Sequence, residues 1–283
     1  MKGWKRKEKR MDNQLRLCQL RQLSIAKEIQ RICKKHKIIF FLNAGTLLGA
    51  VRHQGFIPWD DDLDVGMLRS EYDRFIDIAS KELDEAYFLQ TWDSDPKYPM
   101  PFAKIRLNGT KYIEYNSKDA DIHKGIYVDI FPYDNISDRL IERKVQKYLS
   151  KLYLHLLLNK SKYVYFENDN LLKYAICITL RKGSKIFSYE FLHKKLYKIM
   201  TRYNNVSTKR VVTFGGASSF EKEILEREWI KETIEKQFED TTFSIPSKWN
   251  EYLTHFYGDY MTPPPVEKRN NRHNIIECDL GNN

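Results

Sequence analysis

Four carboxylates stand within five positions of this chain, at Asp60, Asp61, Asp62 and Asp64. Like charges that close repel one another, so the cluster calls for a neutralising partner. A divalent cation is the natural one. Mg²⁺ takes oxygen ligands in octahedral array, commonly through a few carboxylates, and leaves its other positions to water and substrate phosphates. A fifth acid points the same way: Asp129 lies inside GIYVDIF, an otherwise apolar run, where a lone carboxylate is costly to bury and shifts its protonation instead.

The surrounding pattern predicts how these residues are positioned. Ile38 to Leu42 (IIFFL) reads as a short buried strand leading into Gly45 and Thr46. Thr46 to His53 suits a short helix, Gly55 to Trp59 a turn carrying Pro58, and Leu63 to Met67 a strand. Alternation along that strand puts Asp62 and Asp64 on one face and Leu63 and Val65 on the other. Ser70 is expected to cap a helix to about Ala79 that buries Tyr72, Phe75, Ile76 and Ala79. Further strands fit Tyr87 to Trp92, Phe102 to Leu107, Tyr112 to Glu114 and Gly125 to Phe131.

The flanking segments are helical in period. Residues 12 to 36 place Leu15, Cys18, Ile25, Ile29, Ile32 and Cys33 on one face between basic residues. From Leu140 to Met200 the chain is Lys-rich and aromatic, with apolar runs YLSKLYLHLLL and LLKYAICITL. Neither run reaches the ~20 residues needed to span a bilayer, and Lys interrupts both. They suit amphipathic helices that pack on the domain or lie against a membrane surface.

With 283 residues, 42% of them apolar, and no linker, repeat or low-complexity tract, the chain is expected to form one continuous fold with an elaboration. Cys18, Cys33, Cys177 and Cys278 have neither zinc-site spacing nor the density of a disulfide scaffold, and read as free thiols. The start, MKGWKRKEKR, is not followed by an apolar leader core, so a cytoplasmic location is expected. Of the net charge of +10, residues 1 to 37 carry 13 Lys/Arg against 3 Asp/Glu, and residues 139 to 202 carry 15 against 4. The remainder, with the aspartate cluster, is therefore acidic. That division suits a metal site set beside surfaces that face anions.

A Gly-Thr pair after a strand, then a helix, an Asp-x-Asp strand and an isolated Asp on a later strand make the pattern of the nucleotidyltransferase fold. Gly45 permits close backbone approach to a phosphate, and the helix near Thr46 offers free N–H groups and its positive dipole end. The block GTLLGAVRHQGFIPWDDDLDV, with Tyr72, KIR at Lys104 to Arg106, GIYVDIFP at Gly125 to Pro132 and YGDYMTPPPVEKR at Tyr257 to Arg269, closely resembles the LicD family, relatives of fukutin-related proteins. The resemblance covers most of residues 12 to 138 and about the last thirty, and is weakest in the basic middle. It implies an α+β fold: a nucleotidyltransferase-like mixed sheet core flanked by helices, with a basic helical insertion. The expected division is a catalytic core over 1–138, the insertion over 139–202, and a C-terminal part over 203–283 that completes the site.

The resemblance further implies a phosphotransferase that moves a phospho-alcohol, typically phosphocholine, from a CDP-activated donor to a sugar hydroxyl of a surface glycan. Asp62, Asp64 and Asp129 are then the catalytic carboxylates and the ligands of Mg²⁺ or Mn²⁺, with a general-base role for Asp129 equally open. Lys104, Arg106 and Arg52 are candidates for holding donor phosphates, beside Gly45 and Thr46. Trp59 is a candidate for stacking on cytosine or caging a trimethylammonium, with a core position the simpler account. Lys268, Arg269 and His273, behind the stiff Pro263-Pro264-Pro265 segment, are candidates to face the site. Asp60 reads as a weaker ligand candidate, Asp61 and His53 as structural, and Phe214-Gly215-Gly216 as a turn or a loop near substrate.

Two rivals remain from the residues alone. One keeps the fold and uses CTP or ATP for nucleotidyl transfer. The other makes the basic segments a nucleic-acid surface with vestigial aspartates, against which stand the complete carboxylate set and the absence of zinc-finger or RNP motifs. No nucleic-acid partner is expected. A lipid-linked glycan acceptor at the inner membrane face would suit the basic helices.

Overall fold

The computed structural model describes residues 2–163, 171–269 and 273–281, with side chains from Asn13 onward and outside 171–177. The long helix α1 (Lys2–His36) buries Cys18, Ile25, Ile29, Ile32 and Cys33, the i, i+3, i+4 spacing that makes it amphipathic. It lies against one face of a mixed sheet. The sheet begins with β1 (Phe41–Leu42), β2 (Asp64–Leu68), β3 (Tyr87–Gln90) and β4 (Ala103–Leu107), and is completed by β6 (Tyr127–Asn135), which follows β5 (Lys111–Glu114). Its order is β1-β2-β6-β4-β3. Only the β2–β6 pair is parallel within that path, and the helix α3 (Arg69–Glu82) lies in the crossover between them, as a parallel connection requires. The architecture is α+β.

Several elements depart from the sequence pattern. The first strand is only Phe41–Leu42, and Ile39 is half exposed, because pairing with β2 begins at Phe41. Ser70 does not cap α3; Leu68 occupies that position without a side-chain bond, so the strand passes directly into the helix. Tyr72, Phe75 and Ala79 are buried as expected, with Ile76 packed at the margin. The strand containing Asp129 runs four residues past Phe131, to Asn135, because β7 (Arg210–Val212) pairs with its far end. Next to β7 lies β8 (Ile224–Glu226), so the segment after residue 203 extends the core sheet.

The basic middle forms α4 (Leu140–Lys160), α5 (Leu171–Ser184) and α6 (Tyr189–Met200). Leu156 and Leu157 of α4 pack with Leu192, Leu196 and Met200 of α6 in a core of their own, against Trp92. The side chains of the run LLKYAICITL before Ile178 lie outside the described residues. No helix among the described residues is long and apolar enough to cross a membrane.

After the short α7 (Arg227–Ile230), the hairpin β9 (Thr233–Phe238) and β10 (Thr241–Pro246) packs beside β1, followed by α8 (Trp249–Tyr257) against α2 (Ala44–Arg52). The last strand, β11 (Ile275–Asp279), pairs antiparallel with β5. It brings Cys278 Sγ to 3.1 Å from Cys18 Sγ on α1, both as free thiols, with Gln14 donating to the Cys278 carbonyl.

A buried ion pair joins α3 to the sheet. Asp134 is fully buried on β6 and accepts two hydrogen bonds from Arg69, at 2.8 and 2.7 Å, and a third from Asn204. Removing one partner leaves an uncompensated buried charge. Asp134→Ala is therefore expected to lower unfolding free energy by about 3–5 kcal/mol in urea titration, whereas an effect under about 1 kcal/mol would mean that Arg69 escapes to water.

Candidate active site

Parallel pairing of β2 and β6 sets Asp64 directly opposite Asp129. On the other side of Asp129, antiparallel β4 presents Lys104, whose Nζ is 2.7 Å from Asp129 Oδ1. All three are buried. The Lys104 ammonium also sits 3.4 Å from the Tyr127 ring centre, while the Tyr127 hydroxyl donates to buried Glu114 at 2.5 Å and the Tyr163 hydroxyl donates to its other oxygen at 3.2 Å. The result is a line of alternating charge and aromatic groups on one sheet face.

The other aspartates belong to the segment entering β2. Asp62 lies before the strand and not in it, so strand alternation does not fix its direction. What fixes it is a set of bonds to the backbone. Gln19 of α1 donates to the Asp60 carbonyl, Gln22 and Tyr112 donate to that of Asp61, and the Asp129 N–H donates to that of Leu63. Thr46 Oγ1 accepts the Asp64 N–H at 2.9 Å, tying α2 to the start of β2. A Cβ on Gly45 would come within 2.9 Å of Asp60 Oδ2, so a larger residue there would displace that carboxylate.

The helix α2 starts at Ala44, two residues earlier than the pattern suggested. Asn43 precedes it but makes no side-chain cap; its Oδ1 accepts the Tyr133 and Tyr252 hydroxyls at 2.7 and 2.6 Å. The Ala44 N–H is bound by Tyr252 Oη, so this end of the helix is partly satisfied from within the protein. Ala44 itself holds φ at +43°, a conformation sterically costly for alanine.

From the far end of the chain His273 reaches the cluster. Its Nδ1 is 2.8 Å from Asp61 Oδ1 and its Nε2 is 3.7 Å from Asp62 Oδ2. Burial works against the charged ring, but the bond to Asp61 and the nearby Asp62 push its pKa up to about 10. Asp61 is thereby committed as the histidine's partner.

Burial and mutual repulsion act on the aspartates together. Burial, then the charges of Asp62 and Asp129, push the Asp64 carboxyl well above its usual range. Burial raises Asp62 against the opposing charge of His273, and raises Asp129 against that of Lys104. Asp64 Oδ1 is buried without a hydrogen-bond partner. Oxygens of Asp60, Asp61 and Asp62 lie within 4.8 Å of one another, a trio that differs from the expected one by including the two acids before Asp62. Hard oxygen donors, crowded and under-neutralised, fit a divalent cation. Asp60, Asp61 and Asp62 are the acids whose oxygens converge closely enough to hold one, with Asp64 and Asp129 facing each other nearby on β2 and β6.

Other expected residues sit at varied distances from this role. Arg106 is buried with its hydrogen bonds taken by Gln90 and the Gly125 carbonyl, which makes it a brace of the sheet and leaves it poorly placed for donor phosphates. Arg52 donates to the Tyr260 carbonyl, and His53 stands edge-on to Trp59. The Arg269 guanidinium lies 4.8 Å from the Trp59 ring, occupying the face proposed for cytosine or choline. Burial and the Arg269 charge lower the Arg52 pKa, while Asp60 opposes them; two guanidiniums thus share a neighbourhood beside the aspartates. Lys268 is exposed on a 3₁₀ turn, Val266–Lys268. Gly215 packs on Phe102 and Gly216 on the Glu223 carboxyl.

Glu114, Tyr127, Asn43 and Glu223 carry no sequence signal as site residues. Glu114 is legible only as the polar position in a strand. Burial raises its carboxyl, but Lys104 and then His273 outweigh this and hold its pKa below the usual value.

The family model described as "LicD/FKTN/FKRP, nucleotidyltransferase domain" matches residues 37–155, a span that contains every acid of the cluster. Over 264 residues the chain is 32% identical to "Lipopolysaccharide cholinephosphotransferase LicD" of Haemophilus influenzae, covering 92% of this chain and 96% of that protein. The chain belongs to the LicD family. It also matches "Mannosyltransferase regulator 4" of Saccharomyces cerevisiae, 29% identical over 120 residues, or 40% of this chain and 10% of that one. An uncharacterized protein of Rickettsia prowazekii is 47% identical over 47 residues, 17% of this chain and 18% of its own. His273 falls outside the matched family segment.

Two substitutions test the electrostatics. Lys104→Met should destabilise the metal-free protein by about 3 kcal/mol or more in urea, because Asp129 is left buried and unpaired. Glu223 is buried beside Gly216, which lifts its pKa to about 7 although the Ser218 N–H opposes the rise. The folded form therefore binds the proton more tightly than the unfolded chain, and stability falls as pH rises from about 4.3 to 7 by about 3 kcal/mol. Glu223→Gln should remove that fall, so its stability advantage over wild type should be larger at pH 8 than at pH 4; a constant difference would show normal titration.

Proposed function

We propose that this protein transfers phosphocholine from a CDP-choline donor to a hydroxyl of a glycan acceptor, with Mg²⁺ or Mn²⁺ as cofactor. The reading rests above all on the facing pair Asp64–Asp129, with an unpartnered oxygen on Asp64, in a chain that shares nearly its full length with a lipopolysaccharide cholinephosphotransferase. Nucleotidyl transfer from CTP or ATP would use similar carboxylates; the extent of that match favours phospho-alcohol transfer.

The chemistry forms a bond between the acceptor oxygen and the choline-bearing phosphorus and breaks that phosphorus's bond to the bridging oxygen of the pyrophosphate, releasing CMP. The cation, when bound, supplies charge neutralisation on the pyrophosphate oxygens. The residues of the chain do the rest. Arg52 and Arg269, near one another and near Asp60, form a cationic rim suited to the donor's phosphates, with Trp59 against Arg269. Arg269 would leave the Trp59 face to engage a phosphate, opening that ring to cytosine or choline.

Lys104 opposes the rise that burial imposes on Asp129 and so favours the anion, which could hold the cation or take the acceptor's proton. His273 neutralises Asp61 and faces Asp62, limiting the repulsion that the four-acid run would otherwise create. Thr46 holds the Asp64 backbone, and with it the spacing between Asp64 and Asp129.

Calorimetric titration with CDP-choline, CDP-glycerol, CDP-ribitol, CTP and ATP, with and without Mg²⁺, tests the donor. Mg²⁺-dependent preference for CDP-choline is expected; preference for a triphosphate would move the case to nucleotidyl transfer. Asp62→Asn and Asp64→Asn should each reduce transfer by about 10³-fold, the scale of several kcal/mol of lost charge stabilisation. Both should melt at or above the wild-type temperature without metal, and only wild type should be stabilised strongly by Mg²⁺. Transfer surviving in both variants would remove the mechanism.

A further inference from the structure

The helix α4 carries an apolar stripe on its outer side. Ile141, Val145, Tyr148 and Leu152 follow i, i+4, i+7, i+11 spacing, and all are exposed, Ile141 at 78% and Tyr148 at 64%. Leu149 widens the stripe. These positions share one helix face, opposite the positions that pack inward through Gln146, Ser150 and Leu157. Exposed apolar residues scattered singly need no account, but a contiguous row along three turns does.

Its charge surroundings say what covers it. Lys144 and Lys151, both exposed, run along one edge of the stripe at the same helical spacing. The single acid of the helix, Glu142, is engaged by Ser137 and Arg139. The insertion as a whole carries 15 Lys/Arg against 4 Asp/Glu. A second copy of this face would bring like charges together. An anionic lipid surface supplies both complements at once, headgroup phosphates for the lysines and the acyl boundary for the stripe.

We infer that the outer face of α4 docks this protein on an anionic membrane surface, with Ile141, Val145, Tyr148 and Leu152 entering the interface and Lys144 and Lys151 at headgroup level. The helix lies in the plane of the membrane and does not cross it, in keeping with its length and its lysines. The docking is independent of the donor chemistry and acts on the metal-free protein.

Co-sedimentation with vesicles tests it, using phosphatidylcholine alone and phosphatidylcholine with about 30% phosphatidylglycerol, at low and high salt. Wild type should bind the anionic vesicles at low salt, weaken as salt rises, and leave the neutral ones largely in solution. Ile141→Asp with Tyr148→Asp should abolish binding. Lys144→Glu with Lys151→Glu should weaken it at least about 25-fold, about fivefold for each lysine. The positions are exposed, so unchanged melting temperatures are expected and separate docking from folding.

Wild type failing to bind anionic vesicles at low salt overturns the inference. So does undiminished binding by both variants. Light scattering that shows a wild-type dimer dispersed by Ile141→Asp with Tyr148→Asp would assign the stripe to a second copy instead.

Discussion

Two carboxylates on adjacent parallel strands, Asp64 and Asp129, are buried opposite one another, and much of the molecule can be understood as what makes that tolerable. Burial raises the free energy of both anions, and each raises that of the other. Lys104 offsets part of this from the neighbouring strand, at a register that only the β4–β6 pairing provides. The lysine is in turn covered by Tyr127 and Phe102, so its charge is kept from water and acts inward. The site is thus a strained electrostatic balance held by a rigid sheet, which is how a protein keeps charges poised for a charged ligand.

The loop before β2 shows a second constraint. Three successive aspartates have no regular structure to orient them, and the backbone carbonyls of the first two are instead gripped by Gln19, Gln22 and Tyr112. These are neutral donors. They fix the loop without neutralising its side chains, so positioning and charge remain separate. Among the described residues His273 supplies the countercharge nearest to Asp61 and Asp62, with Lys104 also acting on Asp62.

The sequence made legible those features whose cause is local. The i, i+3, i+4 row of α1, the apolar strand around Asp129 and the acidic run could all be read directly, because periodicity and misplaced charge leave marks in adjacent residues. Ser70 misled because a serine before a helical pattern suggests a cap, whereas β2 feeds straight into α3 at Leu68. The roles of Lys104 and Arg106 were out of reach for a different reason. Both read as candidates for donor phosphates, but pairing across the sheet gives Lys104 to Asp129 and Arg106 to Gln90 and the Gly125 carbonyl. Glu114, Asn43 and Glu223 depend on contacts between segments far apart in the chain. Nothing near them in sequence announces those contacts.

The strand β11 joins the two ends of the molecule: it pairs with β5, its Cys278 meets Cys18 of α1, and the turn before it delivers His273 to the aspartates. During synthesis the acidic loop leaves the ribosome some two hundred residues before that histidine does. Until then Asp61 and Asp62 lack their countercharge, and the face of α1 that receives Cys278 stays uncovered. The nascent core must therefore wait in an over-acidic, incompletely closed state, and the late-emerging β11 segment acts as the latch that both closes the fold and balances the charge of its site.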